Sequence, residues 1–170
     1  MQKFLIIISG PMGSGKTTIS KLLHLHLPRT AIINSDAIKF FISDFERGER
    51  DNAITAGVLL EMCREYIKHD INLLLPQPFW KKEYLEPYLK LAEENNLKVF
   101  IYQLEGSKEL LFERIHNRPK SALAKTAVPE ERILCNFKIW EENRYELGKV
   151  FNVDELSSEQ IAQLILADIE

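Results

Sequence analysis

Eight consecutive residues, Gly10-Pro11-Met12-Gly13-Ser14-Gly15-Lys16-Thr17, fit the pattern G-x-x-x-x-G-K-S/T. Their types suit one task, which is gripping a string of phosphates. Glycines at 10, 13 and 15 let a tight loop turn its backbone N–H groups toward phosphate oxygens. A helix opening at Gly15 or Lys16 adds unbonded N–H groups and the positive end of its dipole. The Lys16 ammonium is expected to reach the β- and γ-phosphates, and the Thr17 hydroxyl to ligate Mg²⁺. Ser14 and Thr18 complete the expected cofactor contacts.

Three further groups bear on the chemistry. Asp36 follows a short apolar run that ends at Asn34, and Lys39 stands one helical turn later. A carboxylate at the carboxyl end of a parallel strand faces the same crevice as the phosphate loop. Asp36 is therefore expected to accept a proton from an attacking hydroxyl, with helix capping as the plainer alternative. Lys39 is expected to hold a polar or anionic part of the acceptor. The second group is Arg114 and Arg118, four apart on one helix face, in a stretch from Glu113 to Glu130 that holds no acid between its ends. A basic segment in an acidic chain reads as a lid, about 114–130, that closes over the nucleotide and lends charge to the transferring phosphoryl group. The third is Gln77, Phe79 and Trp80, which follow another buried-type strand and offer hydrogen bonds and aromatic surface to an acceptor.

These residues need a frame that brings them to one edge. Short runs rich in β-branched and aliphatic residues, Phe4 to Ile8, Ala31 to Asn34, Ile71 to Leu75, Leu97 to Leu104 and Lys149 to Val153, read as buried strands. Helical patterns separate them: 16–27, about 37–45, a long one carrying Ile54, Val58, Leu59, Met62, Tyr66 and Ile67 on one stripe, 81–95, 107–117, 129–145, and a last one capped by Ser157. Strand and helix alternate throughout, so a parallel sheet with helices on both faces is expected, as one domain over 1–170.

Composition narrows the classes. At 170 residues, 45% hydrophobic and 28% charged, the chain is not disordered along its length. Acids outnumber Lys and Arg by 25 to 22, which speaks against a surface that coats nucleic acid or an anionic membrane. Cys63 and Cys135 form no metal-binding pair with each other or with His24, His26, His69 or His116, and both are expected as reduced thiols. No apolar run approaches a membrane span, so a cytoplasmic location with no membrane contact is expected.

The phosphate loop, the strand followed by Asp-x-x-Lys and the Arg-x-x-x-Arg helix together resemble the small P-loop kinases. Within these the pattern is most similar to the zeta toxin, chloramphenicol phosphotransferase and polynucleotide 5′-kinase group. The resemblance implies a P-loop three-layer sandwich with a five-stranded parallel sheet in order 2-3-1-4-5, ATP with Mg²⁺ as donor, and a hydroxyl on a small molecule as acceptor. It makes Asp36 the base, Lys39 the counterpart of an acceptor contact that is usually Arg, and Arg118 a lid residue. The chain departs from the pattern after its third strand, where Pro76 and Gln77 replace an acid that helps hold Mg²⁺ in many relatives. That departure favours a second reading, a non-catalytic nucleotide sensor or partner-regulating ATPase module. A nucleic-acid 5′-hydroxyl kinase is a third, disfavoured by the net acidity.

Overall fold

The computed structural model describes residues 3–46, 48–117, 128–143, 145 and 147–169. The strands are β1 (Phe4–Ser9), β2 (Thr30–Ile32), β3 (Asn72–Pro76), β4 (Lys98–Glu105) and β5 (Lys149–Asn152). They form one parallel sheet in the order β2-β3-β1-β4-β5. The central strand β1 pairs on both sides, Ile7 standing beside Leu75 of β3 and Ile101 of β4. All six of its residues are buried, which is why it reads as an uninterrupted apolar run.

Helices cover both faces. On one side Ile6, Ile8, Leu74 and Leu104 pack with Ile19 and Leu23 of α1 (Lys16–His26) and with Ile161 and Ile165 of the C-terminal helix (Ser158–Ile169). After α1 come α2 (Ser35–Lys39), α3 (Glu49–Lys68) and α4 (Lys82–Glu94). On the opposite side Leu5, Ile7, Leu73 and Leu75 meet Leu59 and Cys63 of α3 and Leu85 and Leu91 of α4. Each fully buried Leu or Ile contributes about 1.5–3 kcal/mol. The chain continues through α5 (Lys108–His116) and α6 (Glu130–Glu142) to the final helix, α7 (Ser158–Ile169).

Two expectations about helices are corrected. The segment expected as a helix over 37–45 is helical only over Ser35–Lys39, and then runs in i→i+3 turns, Phe41 N to Ile38 O and Ile42 N to Lys39 O. Phe40 and Phe41 are exposed there, so no apolar face rewards further winding. In α3 the buried stripe is Thr55, Leu59, Cys63 and Ile67, while Ile54, Val58 and Tyr66 face outward. Thr55 satisfies its hydroxyl on Asp51 O at 2.8 Å, so a polar side chain takes a core position without an unpaired group.

Candidate active site at the phosphate loop

The turn from β1 into α1 carries the glycine motif, and its geometry explains the residue types. Gly13 has φ +85°, and a Cβ there would lie 2.6 Å from Leu111 O in α5. A Cβ on Gly10 would lie 2.7 Å from Ser14 Oγ and 2.8 Å from Leu104 O. A side chain at either position would force the loop away from the end of β4 or from α5. Gly15, also left-handed, is the N-cap of α1. Lys16 folds back over the loop, its Nζ donating to Gly10 O at 2.8 Å and Pro11 O at 2.7 Å. Its charge is thus held at the loop's centre.

Two observations test whether a polyphosphate fits. Glycines at 10 and 13 let the loop pack against β4 and α5 more closely than a Cβ would allow, which fixes its backbone N–H groups in place. The Ser14 hydroxyl, on a residue 1% exposed, has no hydrogen-bond partner among the described residues. An orphaned hydroxyl in a loop of this shape suits an incoming phosphate oxygen. Thr17 is half-buried in the first turn of α1 and is the residue that would offer a hydroxyl to a bound Mg²⁺, and Thr18 beside it is exposed. One protein oxygen suits an ion that keeps several waters and takes its remaining ligands from phosphates. Among the described residues no group of three or more His, Cys, Asp or Glu is arranged to hold a metal.

Asp36 lies in the first turn of α2, after β2. Asn34 caps that helix, its side-chain oxygen accepting from Asp36 N at 2.9 Å, so the Asp36 carboxylate is not spent on capping. It is exposed and 3.5 Å from Lys39 Nζ, which also lies 5.8 Å over the Phe45 ring. The expected Asp–Lys pair is therefore brought together by one helical turn.

After β3 the chain is fixed by two cross-links to β1. Gln77 N donates to Ile8 O at 3.1 Å, and Phe79 N donates to Ser9 Oγ at 3.0 Å. Gln77 is 8% exposed and its Nε2 has no hydrogen-bond partner among the described residues. The aromatic pair divides. Phe79 is in the core, edge-on to Tyr88, whose hydroxyl burial pushes up to about 12. Trp80 stays partly exposed, edge-on to Tyr84.

Arg114 lies on α5, Nη2 donating to Val153 O at 3.2 Å beyond β5. Arg118 and residues 118–127 of the lid expected over about 114–130 lie outside the described residues. Sequence reasoning missed Glu105, which ends β4 next to the phosphate loop and accepts from Gln103 Nε2 at 2.6 Å. Asp154 follows β5, two residues beyond its last residue, Asn152. The carboxylate accepts from Ser107 N at 2.6 Å and from Ser107 Oγ, tying the end of β5 to the start of α5.

Residues 5–135 match the AAA domain family AAA_33. The chain belongs to this family. Solved structures share the AAA_33 chain's fold across nearly its whole length. The tunicamycin resistance protein of Deinococcus radiodurans superposes with a TM-score of 0.70 at 18% identity, covering 99% of this chain and 96% of its own. A gluconokinase from Sinorhizobium meliloti 1021 gives 0.62 at 18%, covering 98% and 94%. The Mycobacterium tuberculosis APS kinase CysC, in complex with AMPPNP and APS, gives 0.64 at 12%, covering 99% and 98%. No curated protein matches the chain. The fold is that of P-loop kinases, with the sheet order the resemblance implied. No helix among the described residues is long and apolar enough to cross a membrane.

Proposed function

We propose that residues 1–170 form one kinase domain that moves the γ-phosphoryl group of ATP to a hydroxyl of a small molecule. The observation that carries this reading is the shared edge: the phosphate loop and the Asp36–Lys39 pair both follow the carboxyl ends of parallel strands. In the transfer, the acceptor oxygen forms a bond to the γ-phosphorus as the bond to the β,γ-bridging oxygen breaks, and ADP leaves. Asp36 takes the hydroxyl proton. Lys16 neutralises charge on the phosphates, with Gly10, Gly13, Ser14, Gly15 and Thr18 around them. Arg114 and Arg118 add charge from the lid side. Mg²⁺, held by Thr17 when bound, screens the phosphate charge. Lys39, Gln77 and Trp80 position the acceptor, and Phe79 holds that segment in place from the core.

The kinase folds of the gluconokinase and the APS kinase support the donor half of this reading. The narrower likeness to the zeta toxin and chloramphenicol phosphotransferase group supports Asp36 as the base. The sensor reading has one observation in its favour, the uncharged Gln77 after β3. Phosphoryl transfer from γ-labelled ATP to a panel of nucleosides, sugars, amino-sugar conjugates and 5′-hydroxyl oligonucleotides separates the readings. A labelled product that disappears in Lys16→Ala and Asp36→Asn supports the kinase. Tight ATP binding without any labelled acceptor, unaltered by Asp36→Asn, favours the sensor.

A further inference from the structure

The edge that carries Asp36 also gathers exposed aromatic rings. Strands β2 and β3 are neighbours, with Ala31 beside Leu73 and Ile33 N donating to Leu74 O at 2.9 Å, so the segments that follow them leave the sheet side by side. Ile38 of the first segment and Phe79 of the second belong to one buried cluster with Leu59 of α3, which holds both segments at the same end of the molecule. Phe40 and Phe41 are exposed on the first segment, Tyr84 is exposed on the second, and Trp80 is partly so. Trp80 and Tyr84 stand edge-on with ring centroids 6.4 Å apart.

Two properties of these segments define what would fit. The first is the concentration of aromatic surface. Four aromatic side chains are exposed among the described residues, Phe40, Phe41, Tyr66 and Tyr84, and only Tyr66 lies off these two segments. Phe41 is 81% exposed, more than any other large apolar side chain among the described residues. Rings standing in water gain free energy when a ligand covers them, and a ligand ring adds face and edge contacts of its own. The second property is charge. Residues 34–45 hold Asp36, Lys39 and Asp44, and residues 77–84 hold Lys81, Lys82 and Glu83, three carboxylates against three ammoniums. Lys39 is engaged by Asp36 at 3.5 Å and by the Phe45 ring at 5.8 Å. With no net charge between them, the two segments select by ring surface rather than by ion pairing.

We infer that these rings form a subsite for an aromatic ring carried by the phosphoryl acceptor, an uncharged alcohol whose hydroxyl meets Asp36. The inference rests on the kinase reading for the transfer step, in which the hydroxyl oxygen bonds to the γ-phosphorus, its proton passes to Asp36 and ADP leaves. Ring binding is tested apart from transfer. Trp80 and Trp140 are the two tryptophans of the chain, so Trp140→Phe leaves Trp80 as the sole indole reporter. Its emission is titrated with phenylethylene glycol, propylene glycol and gluconate. The phenyl diol should change the emission saturably and bind at least about tenfold tighter than the other two, as partial burial of a ring allows. Phe40→Ser and Phe41→Ser remove exposed rings and should keep the parent melting temperature. Each should weaken the phenyl diol roughly three- to tenfold. With γ-labelled ATP, label should pass to the phenyl diol in preference to propylene glycol and gluconate. A saturable phenyl-diol complex without labelled product would support the ring subsite and sink the kinase reading beneath it. No saturable change, equal affinity for the three compounds, or ring variants that bind as tightly as their parent would overturn the inference, as would preferential labelling of gluconate.

Discussion

The Lys39 ammonium stands 3.5 Å from the Asp36 carboxylate, one turn along α2, while the Asp36 side chain keeps 69% of its surface exposed. Asn34, two residues earlier, has already capped the helix. The pair is therefore dispensable for the fold, since an exposed ion pair contributes about 0–1 kcal/mol.

Substituting Asp36 should separate chemistry from stability. Asp36→Asn is expected to lower kcat for phosphoryl transfer by roughly 10²–10⁴-fold, the range for loss of a general base. The ATP dissociation constant and the melting temperature should stay near wild type. Steady-state transfer, calorimetric titration with ATP and thermal melting measure the three quantities. A large fall in melting temperature would instead make Asp36 a structural residue.

The phosphate loop yields a prediction of the opposite kind. Gly13→Ala puts a methyl group 2.6 Å from Leu111 O at a φ of +85°, so loop and α5 must separate. The left-handed backbone alone costs about 1–2 kcal/mol for a residue with a Cβ. Both ATP affinity and stability should fall together, read by titration and by urea unfolding. Intact ATP binding in this variant would mean that the loop keeps its grip on phosphate without its close packing on α5.

Why some of this was visible in the sequence and some was not follows from how far apart the determinants lie. The phosphate loop is local: glycine spacing, Lys16 and the preceding apolar run are contiguous, and the strands read clearly because β1 is buried on both faces. The sheet order came with the resemblance, not from periodicity. The phase of α3 was misread because its buried stripe uses Thr55 and Cys63, which a count of large apolar residues passes over. The division between Phe79 in the core and Trp80 at the surface depends on Tyr88 and Tyr84 of α4. A cleft beside Pro11 draws on β4, β5 and α6, segments whose meeting no local pattern encodes.

Those same packing differences set the reactivity of the two thiols. Cys63 is buried on α3, and burial pushes its thiol up to about 12, so it carries almost no thiolate at neutral pH. Cys135 is exposed on α6. A disulfide-exchange reagent should label one thiol per native chain at pH 8, at Cys135, and both in denaturant. Mass spectrometry of the labelled peptides identifies the site. Rapid native labelling of Cys63 would show that α3 opens away from the sheet far more readily than its packing allows.

Asp154 gives a pH-dependent stability whose sign can be worked out. Hydrogen bonds from the Ser107 side chain and backbone hold its carboxyl below the ordinary 3.8 in the folded protein. A depressed folded pKa means the ionised form favours folding, so its contribution is fully present above 3.8 and disappears as pH falls through the lower folded value. Asp154→Asn removes the charge. The urea midpoint of the wild type should therefore exceed that of Asp154→Asn by a constant amount between neutral pH and about pH 5. The gap should narrow below the ordinary aspartate range and close in stronger acid. Because Ser107 is also the N-cap of α5, accepting from Leu110 N at 3.4 Å, the variant should loosen the start of that helix first. Hydrogen exchange at Leu110 and Leu111 reads this directly, with faster exchange expected in Asp154→Asn at neutral pH than in the wild type. A gap that widens as acid is added would mean that Asp154 is not stabilised as the carboxylate.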